Sequence, residues 1–554
     1  MGQTKQLDLN SLRINNIEID SLYDAIQKPS DFDENLPALR YFGMEISYKD
    51  LFSNIEKNQR ALSGYGVGKG DVIACALPTC PESIYLFYAA NKLGVIVQWI
   101  DVRITTAEML RVLRKSRPKL LFIMSFIIKN TPSIQKLPCE SVIILRGCDA
   151  FPQHVQFWFK LGERLNGRRV QSKRKGFIYY SEFISKEGEF PSNESCLSTA
   201  DDIACIFPSS GTTGTPKYIK ISNKAINFTV NTGTLIDPAV GDIVLNVIPC
   251  FTGIGLIWNI HCPLSKGMTI DIVPHLKIKS FQRILVKSKP NHVFGVPSYW
   301  QFVLSQKRSK AHDLSSIKTV IVAGERMGIG FEKTVNEYLK ANGASHSICV
   351  AYGMTESACI GCLRSYFSEE SEGSVGFPHA NVEVKIVDDN MMELPHHQNG
   401  EICIHTPFLT SGYLDNEEET ARLLKNHSDG KIWIHTGDIG YMSEKGEVFV
   451  VGRLKKMLVL ESGSKVFPSE IEKVILKYPH VLDCAVKGVK TKGNWVDGLV
   501  VYVVVEKKSI SVSNYISRKC REDLSAYCVP SDIKVVDELP RTPSGKINYS
   551  ALPD

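Results

Sequence analysis

The chain has 554 residues, 43% of them apolar and 22% charged, with a formal net charge of +6 at pH 7. That length exceeds what one hydrophobic core supports, so two or more domains are expected, and the balance excludes a disordered or fibrous chain. So small a positive excess leaves no nucleic-acid footprint, and no apolar run reaches the roughly 18 residues that a membrane-crossing helix needs.

The start, Met1-Gly2-Gln3-Thr4-Lys5, is not followed by a signal-peptide core. The 15 cysteines lack framework spacing, which fits reduced thiols and a cytoplasmic protein. The C-x-x-C pair Cys359 and Cys362 has no second ligand pair in the sequence, so packing is its expected role.

Along the chain, from about residue 70 to 440, short apolar runs alternate with helix-like stretches. The expected strands are Leu120–Met124, Val142–Leu145, Asp242–Ile248, His292–Val296, Thr319–Val322 and Ser347–Val350. Apolar runs of this kind between helices imply parallel strands buried on both faces, an α/β architecture of layered sheets and helices. Residues 157–175 carry Lys160, Arg164, Arg168, Arg169, Lys173, Arg174 and Lys175 against Glu163, with Phe157, Trp158 and Phe159 beside them. Such a segment is either a solvated surface insertion or a peripheral contact with an anionic membrane.

The most informative stretch is Ser209-Ser210-Gly211-Thr212-Thr213-Gly214-Thr215-Pro216-Lys217. Glycine lets backbone N–H groups approach phosphate oxygens, the hydroxyls donate, and the lysine offsets charge. The stretch follows the apolar run Ile203–Phe207 and precedes a helix expected to open near Ser222, giving strand, loop, helix. It lacks the Gly-x-x-x-x-Gly-Lys-Ser/Thr order of the common triphosphate loop. By itself it fits a solvated surface loop as well as a polyphosphate cradle. A break near Gly452–Lys456 is the expected boundary between an N-terminal domain, 1–452, and a C-terminal domain, 453–554. A helix from Pro468, strands Asp483–Val489, Leu499–Glu506 and Ile533–Val536, and a helix near Ser513–Tyr527 make the second domain a small α+β unit.

Three further segments follow in order: Tyr352-Gly353-Met354-Thr355-Glu356; His435-Thr436-Gly437-Asp438 with Gly452-Arg453-Leu454-Lys455-Lys456; and Pro540-Arg541-Thr542-Pro543-Ser544-Gly545-Lys546. With the Ser209–Lys217 loop, and with Tyr48 to Gly94, they make the chain resemble the adenylate-forming superfamily. That group holds acyl-CoA synthetases, peptide-synthetase adenylation domains and beetle luciferases. The resemblance implies a large N-terminal adenylate-forming domain and a small mobile C-terminal lid. It also implies an ATP-dependent acid–thiol ligase that uses Mg²⁺ and CoA. Such an enzyme activates a carboxylic acid as acyl-AMP and then passes the acyl group to CoA. The alternatives are transfer to the phosphopantetheine arm of a carrier protein, or a catalytically silent nucleotide-binding protein.

On this resemblance, Ser209, Ser210, Gly211, Thr212, Thr213, Gly214, Thr215 and Lys217 cradle the β- and γ-phosphates. Thr355 contacts the α-phosphate and Glu356 ligates Mg²⁺. Tyr352 packs on adenine, with Gly324 and Glu325 as another wall. Asp438 accepts the ribose hydroxyls, Arg453 reaches ribose and phosphate, and Lys546 draws the carboxylate to the α-phosphate. Lys455 stands at the hinge, and Gly463 leaves room for pantetheine. Thr252 stands where many relatives carry histidine after Pro-x-Phe. The run Phe251–Trp258 holds no acidic residue to pair a substrate ammonium. An unsubstituted apolar acid, fatty or otherwise, is therefore expected, with Thr252, Ile254, Trp258, Val296 and Ala358 as candidate pocket residues beside ordinary core packing.

Overall fold

The computed structural model of the protein describes residues 21–27, 33–129, 139–147, 149, 151, 176–186, 197–209, 217–232, 238–305, 312–325, 327, 329–365, 373–454, 458–460, 465–489, 498–505, 510–525, 528–541 and 547–553. The chain divides into two compact units. The first takes Met1–Phe294, Gly353–Ile360 and Thr406–Leu424, and the second takes Gly295–Tyr352, Gly361–His405 and Lys425–Asp554.

In the first unit a seven-stranded sheet runs in the order Phe177–Tyr179, Ser141–Leu145, Leu120–Met124, Val72–Ala76, Ile96–Trp99, Ile203–Pro208, Tyr218–Ser222. All neighbours are parallel except the last pair. Leu120–Met124 is buried at every residue, the pattern of a strand covered on both faces. Tyr218–Ser222 departs from the strand–loop–helix expectation: the helix opens at Asn223, but a strand precedes it. Ile219 and Ile221 favour extended backbone, and the segment turns back antiparallel on Ile203–Pro208, pairing Pro208 with Tyr218 and Ile203 with Ser222. Further strands of this unit are Ile243–Asn246, parallel to both Thr269–Ile272 and His292–Gly295, and Pro37–Tyr41, parallel to Thr269–Ile272. Both ends of helix Thr106–Ser116 show why it forms there. Thr105 and Glu108 close a capping box at its start, and Arg114 and Lys115 lie in its last turn.

A single π-helical turn, Ile257–His261, interrupts the helical run beginning at Gly253. It buries His261 completely, with Nδ1 3.1 Å from the Tyr88 hydroxyl and Nε2 2.9 Å from Asn227 Oδ1. An amide oxygen only accepts, so Nε2 carries the proton and Nδ1 accepts from Tyr88. Burial, with a smaller contribution from Lys266, pushes the imidazole down to about 3. In the unfolded chain it takes a proton below about pH 6.5. Between those values the unfolded state binds more protons, so this group's contribution to stability is complete above pH 6.5 and is lost as pH falls toward 3. Taking the protein from pH 7 to pH 5 is expected to cost about 2 kcal/mol more in the wild type than in His261→Gln. Urea unfolding of both at the two pH values checks this, and parallel losses would contradict it.

In the second unit, Thr319–Ala323 pairs in parallel with Ile348–Gly353, Val320 opposite Ile348. An antiparallel sheet links Glu383–Val387, Gly400–His405, Ile432–Met442 and Val448–Arg453 in that order. Near the C-terminus, Val481–Val489 runs antiparallel to Gly498–Val505, which is parallel to Asp532–Val536. Period-two alternation sends Val501 and Val503 to one face, packed with Ile471, Ile475, Ile516 and Cys520 from helices Pro468–Ile475 and Ile510–Asp523. Val500 and Tyr502 go to the other face, packed with Leu539 and Leu552. The expected α+β segments all form, with ends shifted by a few residues.

No helix among the described residues is long and apolar enough to cross a membrane. The basic stretch 157–175 lies outside the described residues.

Candidate active site

Strand pairing brings Ser209 and Lys217 together. The Ser209 N–H donates to the Lys217 carbonyl at 2.7 Å, and the Lys217 N–H donates to Ser209 Oγ at 3.1 Å. These bonds close the neck of the expected phosphate loop. Ser210, Gly211, Thr212, Thr213, Gly214 and Thr215 lie outside the described residues. The Lys217 ammonium pairs with Glu419 and lies 4.9 Å from the centroid of the Tyr413 ring. Glu419 stands in the first turn of helix Glu417–Leu423, which Asn416 caps. Its bond to Lys217 holds its carboxyl below the usual range. Tyr413 in turn donates from its hydroxyl to Glu356 Oε1 at 2.9 Å.

Glu356 is buried, in the short 3₁₀ turn Thr355–Ser357. The chain leaves that turn through Ala358 at φ +53° and Cys359 at φ +61°. Two consecutive left-handed non-glycine residues cost on the order of 1–2 kcal/mol each. Hydrogen bonds from Ala358 N to Thr355 O and from Cys359 N to Met354 O, both 2.9 Å, hold the strained turn. Gly253 packs against it: a Cβ there would come within 2.6 Å of Cys359 Sγ and 3.2 Å of Thr355. A magnesium ion is held through hard oxygen donors, and the Glu356 carboxylate offers oxygens of that kind.

Among the acyl-pocket candidates, Thr252 caps the helix at Gly253, its Oγ1 accepting from Gly255 N at 3.1 Å and donating to Pro249 O at 2.8 Å. Trp258 is 2% exposed, stacks on Phe294, and donates from Nε1 to the Cys359 carbonyl at 3.2 Å. Ile254 is half-buried and Ala358 fully buried. These four lie in the first unit. Val296 lies in the second, half-buried, at the start of helix Pro297–Ser305.

The second unit assembles the nucleoside candidates. Asp438 and Arg453 are direct cross-strand partners, which places their side chains on one face. Arg453 Nε lies 2.7 Å from Asp438 Oδ1, and the Tyr352 hydroxyl donates to Asp438 Oδ2 at 2.8 Å. Asp438 is 5% exposed. Burial and the Asp438 charge keep the Tyr352 phenol protonated, its pKa well above the ordinary value. Arg453 Nη1 also reaches the Thr436 carbonyl at 3.1 Å, while Thr436 Oγ1 accepts from Asp438 N at 3.0 Å. One step back, Glu401 accepts from Gly437 N at 2.9 Å and bonds His435 Nδ1 at 2.7 Å. Gly324, directly after strand Thr319–Ala323, takes φ +81°, a conformation that favours glycine. Glu325 follows it.

Lys455, Gly463 and Lys546 lie outside the described residues. Tyr413, Glu419 and Glu401 were not singled out by the sequence motifs. The only local signal among them is the acidic first turn that follows the Asn416 cap.

The chain aligns with a solved anthranilate CoA ligase in complex with anthranoyl-AMP at a TM-score of 0.79 and 22% identity, covering 98% of this chain and 97% of that one. The fold is therefore that of the adenylate-forming enzymes, α/β with a large N-terminal and a small C-terminal domain. Residues 28–414 match the AMP-binding enzyme family and residues 470–546 its C-terminal domain. The chain belongs to this family of AMP-binding enzymes. Its relatives include a 4-coumarate–CoA ligase of Humulus lupulus, 29% identical over 91% of this chain and 88% of that protein. A long-chain-fatty-acid–CoA ligase of Bacillus subtilis (strain 168) is 24% identical over 92% of this chain and 90% of that protein.

Proposed function

We propose that the protein is an AMP-forming carboxylate–CoA ligase. It would join an apolar carboxylic acid to ATP as acyl-AMP, release pyrophosphate, and transfer the acyl group to the CoA thiol. The observation that carries this reading is the buried Asp438, met by its cross-strand partner Arg453 and by the Tyr352 hydroxyl, in a chain of the AMP-binding enzyme family. A carboxylate already collecting donors is suited to the paired O–H groups of a ribose.

Lys217 and the loop it closes would hold the leaving phosphates, releasing Glu419 to do so. Thr355 would donate to the α-phosphate, and Glu356 would hold magnesium, which screens phosphate charge when bound. Gly324 and Glu325 would flank the adenine with Tyr352. Lys546, on the C-terminal lid beginning at 453, would serve adenylation. The hinge at Lys455 and the loop at Gly463 would serve the thiol step.

The absence of an acid in Phe251–Trp258 supports an acid without an ammonium group, and the buried Trp258–Phe294 stack supports an apolar one. The described cysteines are free thiols, which supports a reducing, cytoplasmic setting. Mass spectrometry after incubation with ATP, Mg²⁺ and a panel of aliphatic and aryl acids, with and without CoA, tests the reading. Acyl-AMP without CoA and acyl-CoA with it are expected. Acyl-AMP that persists in the presence of CoA would replace CoA with a carrier protein. No adduct with any acid would argue for a nucleotide-binding role without catalysis.

A further inference from the structure

Three ligand-type side chains outside the nucleotide residues converge in the second unit: Cys403, His427 and His435, all buried. One donor atom from each lies within 4.8 Å of the others. Sheet register explains the first pair, since Cys403 and His435 are direct cross-strand partners and project from the same face. His427 is brought over them by a closed turn, with its N–H bonded to Lys431 O at 3.1 Å and Gly430 N bonded to its own carbonyl at 3.0 Å.

The two rings meet through their nitrogens. His435 Nδ1 is committed to Glu401 at 2.7 Å, which turns its Nε2 to the other side of the ring. That nitrogen faces His427 Nε2 at 2.9 Å. On the other side of that ring, His427 Nδ1 is buried with no hydrogen-bond partner among the described residues, and it carries the ring's proton when Nε2 is the ligand.

We propose that Cys403, His427 and His435 form a binding site for a zinc-type transition-metal ion, with Glu401 as the outer carboxylate that orients His435. Thiolate and imidazole are the donors such ions prefer. A carboxylate on the far nitrogen of a ligating histidine fixes its tautomer and raises its basicity. A dication, one thiolate, the Glu401 carboxylate and two neutral imidazoles sum to no net charge, which suits a buried place. Bond lengths of about 2.0–2.1 Å to nitrogen and 2.3 Å to sulfur put ligand atoms about 3.3–3.7 Å apart in a tetrahedral site. The facing nitrogens, 2.9 Å apart, need to part by a few tenths of an ångström. Three protein donors leave the fourth position for water or another ligand.

The site has a structural consequence. The ion would clip Gly400–His405 to Ile432–Met442, and Glu401 also accepts from Gly437 N, the residue before Asp438. Metal binding would therefore stiffen the strand that presents Asp438. Detecting the metal needs no turnover, so its failure and that of the ligase reading are separable.

The full chain, stripped with chelator and dialysed, is titrated with Co²⁺ and then with Zn²⁺. One Co²⁺ is expected to bind with a thiolate-to-cobalt charge-transfer band, and Zn²⁺ is expected to abolish the band. Cys403→Ser should lose the band, and Glu401→Gln should bind about 10–100-fold more weakly. His427→Gln, altered on a turn rather than within a strand, should weaken binding even if Cys403→Ser fails to fold; circular dichroism verifies the fold of each variant. Absence of the band in the wild type, or a band undiminished in folded Cys403→Ser or His427→Gln, would overturn the site.

Discussion

Lys546→Ala is expected to lower acyl-adenylate formation by about two to three orders of magnitude, while thioester synthesis from supplied acyl-AMP and CoA continues. The first half-reaction brings two anions together, a carboxylate and the α-phosphate of ATP, and charge rises at the phosphorus as they join. An ammonium aimed at those oxygens stabilises that state most, and removing such a donor typically costs about 3–4 kcal/mol. The second half-reaction starts from a mixed anhydride already made, so it needs no such cation. Around the lysine the chain is closed at a neck: Arg541 bridges to Ile547, and Asn548 N bonds the Pro540 carbonyl at 2.7 Å. Arg541 is itself fixed by Asp483 at 2.6 Å, so the neck has a defined place on the C-terminal α+β fold. Pyrophosphate release reports the first step, and acyl-CoA formed from synthetic acyl-AMP reports the second. Equal losses in both would remove the assignment of Lys546 to adenylation.

Much of the fold could be read directly from sequence because its signals are local. Leu120–Met124 is apolar throughout and is buried throughout. Val500 to Val503 alternate between two cores, as period two requires. Other features had no local signal to carry them. Tyr218–Ser222 depends on its pairing with Ile203–Pro208, and a five-residue run before a helix looks like the helix's approach. The links from Lys217 to Glu419 and from Tyr413 to Glu356 join residues far apart in sequence. No spacing rule reaches across such an interval. Left-handed Ala358 and Cys359 were also invisible, because only glycine or asparagine advertises that conformation. Thr252 illustrates a different gap. Its place after Pro-x-Phe makes it a pocket candidate, and nothing in that pattern announces that its hydroxyl also caps the next helix.

The same reasoning from partners to effect gives the second large expectation, for Asp438→Asn. Asp438 offers one oxygen to Arg453 and the other to the Tyr352 hydroxyl, in a place almost closed to water. Asparagine keeps the shape but replaces one acceptor oxygen with a donor NH₂, which must then face either the guanidinium or the phenol. The charge-assisted bonds that the carboxylate makes, including those proposed to ribose, are worth about 1.5–3 kcal/mol each. ATP affinity is therefore expected to fall about 10–100-fold. Tyr352→Phe, which removes one donor and leaves the carboxylate, is expected to cost only a few-fold. Lost affinity alone would not distinguish a ribose contact from a merely disturbed strand, so the decisive comparison uses 2′,3′-dideoxy-ATP. The wild type should bind it more weakly than ATP, because both ribose hydroxyls are missing. Asp438→Asn should bind the two nucleotides nearly alike, since the acceptor that told them apart is gone. If calorimetry shows the variant discriminating between them as strongly as the wild type does, the ribose is held elsewhere, and Asp438 serves only to position Arg453 and Tyr352.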